Sequence, residues 1–246
     1  MNKRLLITGT TSGVGLSLTE YLSQRFEVIA LGRNETRLAE RFAERTGVRT
    51  YTADLNDAER TDAVVGEIVQ QHGPIGYLIN NAGLMTRSAL NDLPRDRLVE
   101  SLQVNAIAAW QIMRLVLPGM VSEDFGRVIN LTSGAPLNCF PEFAAYSASK
   151  AALNAITVTA AREYENHNIR INLMSPGPVR SNMAPDAAMD PSVCHPTVDY
   201  LLDMPPDGPT GRFFWLGHEI PLFPDLEGVD WLGGTATDRF KRILPP

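Results

Sequence analysis

Arg4-Leu5-Leu6-Ile7-Thr8-Gly9-Thr10-Thr11-Ser12-Gly13-Val14-Gly15 opens a pattern that organises most of the chain. Arg4–Thr8 is a short apolar run, the signature of a strand buried on both faces. From Val14 to Gln24, apolar Leu16, Leu18 and Leu22 recur with helical spacing. Between them lies a glycine-rich turn. Glycines allow a tight bend and a close approach of backbone to ligand. The following helix offers unpaired N–H groups and a partial positive charge at its start. Glycines also serve ordinary turns, but a strand before and a helix after is the context that points to a pyrophosphate cradle. Gly9, Thr11, Ser12, Gly13, Val14 and Gly15 are its predicted members.

Working outward, the alternation continues. Phe26–Leu31 reads as a strand, and Arg37–Thr46 as a charged helix closed by Gly47. Arg49–Ala53 is a strand, Ala58–His72 a helix and Tyr77–Asn80 a strand. A helix starts at Pro94 and runs toward Pro118. Arg127–Leu131 is a strand, Ala144–Tyr164 an alanine-rich helix and Ile169–Met174 a strand. Such alternation predicts an α/β fold, a doubly wound parallel sheet with helices on both faces.

Composition bounds the function. The chain has 246 residues, 44% of them apolar and 20% charged, enough to build a core without disulfides or metals. Its net charge is −6, with no basic block, which argues against nucleic acid or an anionic membrane as partner. No run approaches the length of a membrane span, and the apolar stretch after Met1-Asn2-Lys3-Arg4 is too short for a signal peptide. Cys139 and Cys194 fit a reducing compartment as free thiols, and the expected location is cytoplasmic. The four histidines show no ligand spacing, so no metal site is expected.

The tip of the second strand is where an acidic residue would accept a hydrogen bond from an adenine-ribose 2′-hydroxyl. This chain has Gly32-Arg33-Asn34 there, and a guanidinium suits a 2′-phosphate. That favours NADP(H) over NAD(H), with Arg33 and Asn34 at the phosphate; a solvated surface arginine is the alternative. Asp54 and Leu55, ending the third strand, are candidates to flank the adenine.

Tyr146 and Lys150 lie four residues apart on one helix and share a face. A phenol titrates near pH 10, and a neighbouring ammonium favours its ionised form, making it a usable proton donor and acceptor. Such a pair is common on solvated helices. Here the helix is rich in Ala and Ser, and Lys150 is the one interior lysine in a chain with 3 lysines and 19 arginines. Ser133 follows the fifth strand, where a hydroxyl can hydrogen-bond a substrate oxygen, although serines before glycine also cap turns.

These residues resemble, in order and spacing, the short-chain dehydrogenase/reductase family of the small single-domain type. The matches are Thr8-Gly9-x-x-x-Gly13-x-Gly15, Asn80-Asn81-Ala82-Gly83, Asn105, Ser133, Tyr146-x-x-x-Lys150 and Pro176-Gly177. The resemblance covers roughly residues 3–181. It implies one Rossmann-type domain over residues 1–246, with about seven strands. It further implies that Tyr146 is the general acid/base, that Ser133 holds the reacting oxygen, and that Lys150 binds the nicotinamide ribose and depresses the tyrosine pKa. Asn105 would help hold a water in a proton relay; Asn81, Ala82 and Gly83 would line the cofactor. Pro176, Gly177, Val179 and Ser181 would lie at the nicotinamide end, with Ser181 standing where the family usually has Thr. The implied reaction interconverts a carbonyl and a secondary alcohol by hydride transfer, in a homo-oligomer (dimer or tetramer) acting on a small molecule. An NAD(H)-dependent alcohol dehydrogenase and a non-catalytic cofactor sensor are the alternatives.

The last third departs from the family's uniform part. Twelve of 17 prolines follow residue 175, so the stretch from Pro176 to Pro209 cannot be one long helix. It is either a connecting loop or an ordered flap, and residues 182–246 form the expected substrate loop and C-terminal segment. Pro205-Pro206 through Phe214 and Glu219-Ile220-Pro221 resemble the tail of carbonyl-reductase-like members. Met183, Met189, Leu201, Leu202 and Met204 suggest an apolar pocket or core packing, and Cys139, Phe140 and Phe143 suggest a second wall. Gly228–Gly234, with Trp231, reads as a substrate or interface element or as a surface tail.

Overall fold

A computed structural model describes residues 3–227, 229–230, 232, 235–237 and 239. The apolar runs form the strands β1 (Arg4–Thr8), β2 (Glu27–Gly32), β3 (Val48–Thr52), β4 (Tyr77–Asn80), β5 (Gly126–Leu131), β6 (Ile169–Ser175) and β7 (Phe213–Trp215). All seven run parallel, in the spatial order β3-β2-β1-β4-β5-β6-β7, and β8 (His218–Ile220) adds an antiparallel edge. The sheet therefore has eight strands against the expected seven or so. A short separate pair, β9 (Val229–Asp230) and β10 (Thr235–Ala236), lies in the C-terminal segment. The proposed element Gly228–Gly234 with Trp231 falls largely outside the described residues.

Helices close both faces. On one side α1 (Gly13–Leu22) and α8 (His195–Leu202) bring Leu18, Leu22, Val198 and Leu201 against Leu5, Ile7, Ile79 and Ile129. Beside them α2 (Glu35–Phe42) buries Leu38 and Phe42. On the other side α3 (Ala58–His72), α5 (Ala108–Ser122) and α7 (Ala144–Glu163) cover Leu6, Leu78, Val128 and Ile171. Each such Leu, Ile or Val contributes roughly 1.5–3 kcal/mol when fully buried. The strands are apolar on both faces because helices cover both.

Several local expectations change. Helix α2 stops at Phe42, and Gly47 (φ +88°) instead turns the chain into β3. The helix expected from Pro94 to Pro118 is α4 (Arg95–Leu102), a π-helical turn over Gln103–Ile107, and α5, which passes through Pro118 to Ser122. The whole stretch Arg95–Ser122 is long and apolar enough to cross a membrane, but over half of its most apolar part is buried. Ile112, Met113, Val116 and Met120 sit in the core, which accounts for that apolarity. A one-turn helix α6 (Ala135–Asn138) precedes α7.

The proline-rich stretch is ordered. Arg180 N–H bonds the Met189 carbonyl at 2.8 Å, and Ser181 and Ala184 bond each other. Leu201, Leu202 and Met204 belong to the core, with Met189 packed against it, so the core-packing reading holds for these four. Met183 alone of the five is exposed, at 40%. On α8, His195 stacks on Tyr21 of α1 at 4.1 Å between ring centroids and meets the Ser17 hydroxyl at 2.9 Å. Tyr21 donates to Asp199, and Arg25 pairs with Asp203.

Candidate active site

The order of strands reverses between β1 and β4, the place where ligands meet open α/β sheets. The β1–α1 turn and the residues after β4 are tied together there. Thr8 Oγ1 accepts from the backbone N–H of Asn81 (3.1 Å) and of Ala82 (2.9 Å). The Asn81 amide donates to the carbonyls of Thr8 and Gly9. Space for any side chain is absent at Gly15, where a Cβ would lie 2.1 Å from the Gly9 carbonyl oxygen. At Gly13 the backbone is left-handed (φ +54°), and a Cβ would lie 2.9 Å from Cβ of Ser181. Ser181 is thus brought to the start of α1 from beyond the end of β6, and the buried Val179 joins the same core cluster as Val14.

The first turn of α1 carries no acidic residue, and Ser12 at its cap makes no side-chain hydrogen bond to it. Its N–H groups remain available to an anion. Nearby, the buried Thr10 hydroxyl has no partner among the described residues. An uncapped helix start, glycine backbone without room for side chains and an unpartnered hydroxyl are features that a dinucleotide's pyrophosphate would fit. At the tip of β2, Arg33 is exposed and makes no hydrogen bond or ion pair among the described residues. Asn34 instead caps α2, its side chain accepting from Arg37 N–H at 2.9 Å. Asp54 is exposed and accepts from Asn56 N–H, while the Leu55 side chain joins the core.

The second cluster lies past β5. The Lys150 side chain is buried at 4% exposure, and Nζ donates to the Leu131 carbonyl at 2.7 Å. Burial pulls its pKa down to about 8. Nζ stands 6.0 Å from the centre of the Tyr146 ring. Burial pushes the Tyr146 phenol above its ordinary value, while hydrogen bonding with the Ser133 hydroxyl pulls it the other way. The depression expected from Lys150 does not appear: burial raises the phenol, and the opposing influence is the Ser133 hydroxyl. Ser133 Oγ also accepts from Ala135 N–H at 3.1 Å.

Asn105 sits on the π-helical turn, a geometry frequent at functional positions. It is buried; its Oδ1 accepts from Leu84 N–H at 2.8 Å, and its Nδ2 donates to the Leu84 carbonyl and to Ser149 Oγ. A Cβ on Gly83 would lie 3.0 Å from Asn105 Oδ1 and 3.5 Å from Lys150 Nζ. Gly83, Asn105, Ser149 and Lys150 therefore form one contiguous group. Ser149 and the Leu131 carbonyl escaped sequence reasoning. Ser149, next to Lys150 in an Ala/Ser-rich helix, carried a weak signal; a backbone carbonyl carries none. Pro176 and Gly177 follow β6, and a Cβ on Gly177 would lie 2.9 Å from the Trp215 ring nitrogen. Among the described residues no cluster of His, Cys, Asp or Glu could hold a metal ion.

A family model for short chain dehydrogenase matches residues 3–191. L-xylulose reductase of Caenorhabditis elegans is 32% identical over 193 residues, covering 77% of this chain and 77% of that protein. The solved structure of a 4-hydroxyisoleucine dehydrogenase complexed with NADH is similar, with a TM-score of 0.81 at 26% identity, covering 88% of this chain and 97% of that one. An NADPH-bound carbonyl reductase from chicken fatty liver shares the fold, with a TM-score of 0.81 at 21% identity, covering 90% of this chain and 99% of that one. The chain belongs to the short-chain dehydrogenase family, oxidoreductases that act on CH–OH groups with NAD or NADP.

Proposed function

We propose that this short-chain dehydrogenase is an NADP(H)-dependent carbonyl reductase with Tyr146 as its proton donor. The convergence of Tyr146, Ser133 and Lys150 at the end of β5 carries this reading. When bound, NADPH supplies the hydride that reaches the carbonyl carbon. Tyr146 delivers the proton to the carbonyl oxygen, and the product is a secondary alcohol. Ser133 donates a hydrogen bond to that oxygen as its negative charge develops. Burial keeps Tyr146 protonated near neutral pH, which suits a donor in the reductive direction. Lys150 supplies positive charge beside the phenol. Asn105 holds the π-helical turn and the Gly83–Leu84 backbone in place around Lys150.

The cofactor would lie with its pyrophosphate on Gly9, Thr11, Ser12, Gly13, Val14 and Gly15 and its nicotinamide end by Pro176, Gly177, Val179 and Ser181. Asn81, Ala82 and Gly83 would line its middle. Arg33 would pair with the 2′-phosphate, since nothing else in the described chain engages its guanidinium. Asn34, committed to its cap, would approach through its backbone. Asp54 would contact the adenine by its exposed carboxylate, and Leu55 would support that position from the core. Residues 182–190 would cover the substrate, and the molecule would work as a homo-oligomer in the cytosol. Oxidation of NADPH and of NADH by purified protein, with and without a carbonyl compound, tests the assignment. Carbonyl-dependent loss of NADPH, faster than of NADH, is expected. Binding of either cofactor without turnover of any carbonyl would sink it.

The 26%-identical neighbour holds NADH, which gives the NAD(H)-dependent reading one specific support. Arg33→Ala separates the two readings, because only a 2′-phosphate would lose a partner.

A further inference from the structure

Two short segments meet beside Tyr146. One follows β4 and carries Arg87 and Ser88; the other leads into α7 and carries Cys139, Phe140, Glu142 and Phe143. Arg87 Nη2 pairs with Glu142 Oε2 at 2.8 Å, and Ser88 N–H donates to the Glu142 carbonyl at 2.9 Å. The Arg87 guanidinium lies over the Phe143 ring, 5.1 Å from its centre. Phe143 in turn meets Tyr146 in an edge-to-face arrangement, with ring centroids 6.3 Å apart at 66°. Phe140 packs on Phe143 in the same manner at 6.1 Å.

Two features set this clasp apart from an ordinary loop contact. Cys139 (φ +49°) and Glu142 (φ +66°) are non-glycine residues in the left-handed region, separated by three positions and lying between Ser133 and Tyr146. Strain of this kind persists where surrounding contacts enforce it, and it concentrates at functional sites. The ion pair itself is half exposed, at 59% and 50%, and such pairs stabilise a fold little. Its structural effect is to fix Phe143.

The chemistry of the segment is apolar. Leu137 is 44% exposed and Phe140 is 52% exposed. Asn138 turns its amide back to the Gly134 carbonyl, and Glu142 is taken up by Arg87. Little remains to hydrogen-bond several substrate hydroxyls, whereas the aromatic edge can pack on a flat or alkyl group.

We propose that Phe143, held in place by Arg87 and Glu142, is a specificity-determining residue that selects ketones bearing an aryl or other apolar substituent over polyhydroxylated ketones. The proposal rests on the reductase reading above. The test compares kcat/KM of the full chain with NADPH for an aryl alkyl ketone and for an open-chain ketose. Wild type is expected to favour the aryl ketone by about 10-fold or more, the scale of one good apolar contact. Phe143→Ala should erase most of that ratio, chiefly through KM for the aryl ketone. Phe143→Leu, which keeps apolar volume, should lose aryl preference in part and serves if the alanine variant folds poorly. Arg87→Ala, with Phe143 intact but released, should also lower the ratio. Glu142→Gln, which retains a hydrogen-bond acceptor for Arg87, should leave it near the wild-type value. Preference for the ketose, or an unchanged ratio in both Phe143 variants, overturns the specificity proposal and leaves the reductase reading standing. Failure of a folded, NADPH-binding protein to reduce any carbonyl overturns both.

Discussion

Lys150 and Arg33 are cations at the carboxyl ends of strands in one sheet, yet they live under opposite physical conditions. Lys150 is buried at 4% exposure, rests on a backbone carbonyl, and has its pKa drawn down to about 8. Arg33 is in water, with no protein partner among the described residues. A buried ammonium with no counterion opposes folding, whereas an exposed guanidinium costs nothing to keep. A proton-transfer site needs a dry, fixed charge; an anchor for a charged ligand needs only one that is present and free. Function and stability should therefore be coupled at Lys150 and uncoupled at Arg33.

The largest expected effect belongs to the group that shares the dry environment without being charged. Tyr146→Phe should lower kcat about 1,000-fold, within the range of general acid catalysis, with NADPH affinity and Tm unchanged. Turnover within tenfold of wild type would remove Tyr146 from its role. Lys150→Met should also abolish most turnover, but it should raise Tm. The pKa shift from 10.5 to about 8 corresponds to roughly 3 kcal/mol opposing the charged form, so a gain of several degrees is expected in thermal unfolding. A lower Tm would break the comparison at its buried end. Arg33→Ala should weaken NADPH about 10-fold, the scale of a charge-assisted hydrogen bond, and leave NADH binding and Tm unchanged. Equal loss for both cofactors would break it at the exposed end.

The smallest effect is on pH. Lys150 in the folded state has a pKa below its unfolded value, so between about pH 8 and 10.5 the unfolded chain binds the extra proton. This group alone makes stability rise with pH across that window, with its full penalty present below about pH 8. Reductive kcat/KM should move the other way and fall above about pH 8 as the ammonium is lost. Parallel unfolding and rate profiles check the pair, and a rate that climbs through pH 9 would contradict the role of Lys150.

Strand and helix order was legible because apolar runs buried on two faces cannot be mistaken for amphipathic ones. The tight turn between β1 and α1 was legible because its glycines stand between a strand and a helix, and a Cβ at Gly13 or Gly15 would strike Ser181 or the Gly9 carbonyl. The π-helical turn at Asn105 was not, since one extra residue in a helical turn leaves the apolar spacing almost unchanged. The sign of the Tyr146 shift was also hidden. Four-residue spacing shows that Lys150 is near, but it does not show the burial that raises the phenol or the Ser133 hydrogen bond that opposes it. The apolar side chains of the proline-rich stretch suited a pocket as well as a core until the seating of α8 against the sheet separated them.

The two thiols differ as sharply as the two cations. Cys139 is exposed beside the aromatic clasp, whereas Cys194 is buried and its thiol pKa is pushed up to about 11. A thiol-reactive dye at neutral pH should therefore modify one position, next to Phe140. The protein comes with a built-in attachment point for a fluorophore next to Phe140, whose emission would report changes at the aromatic clasp without altering any other residue.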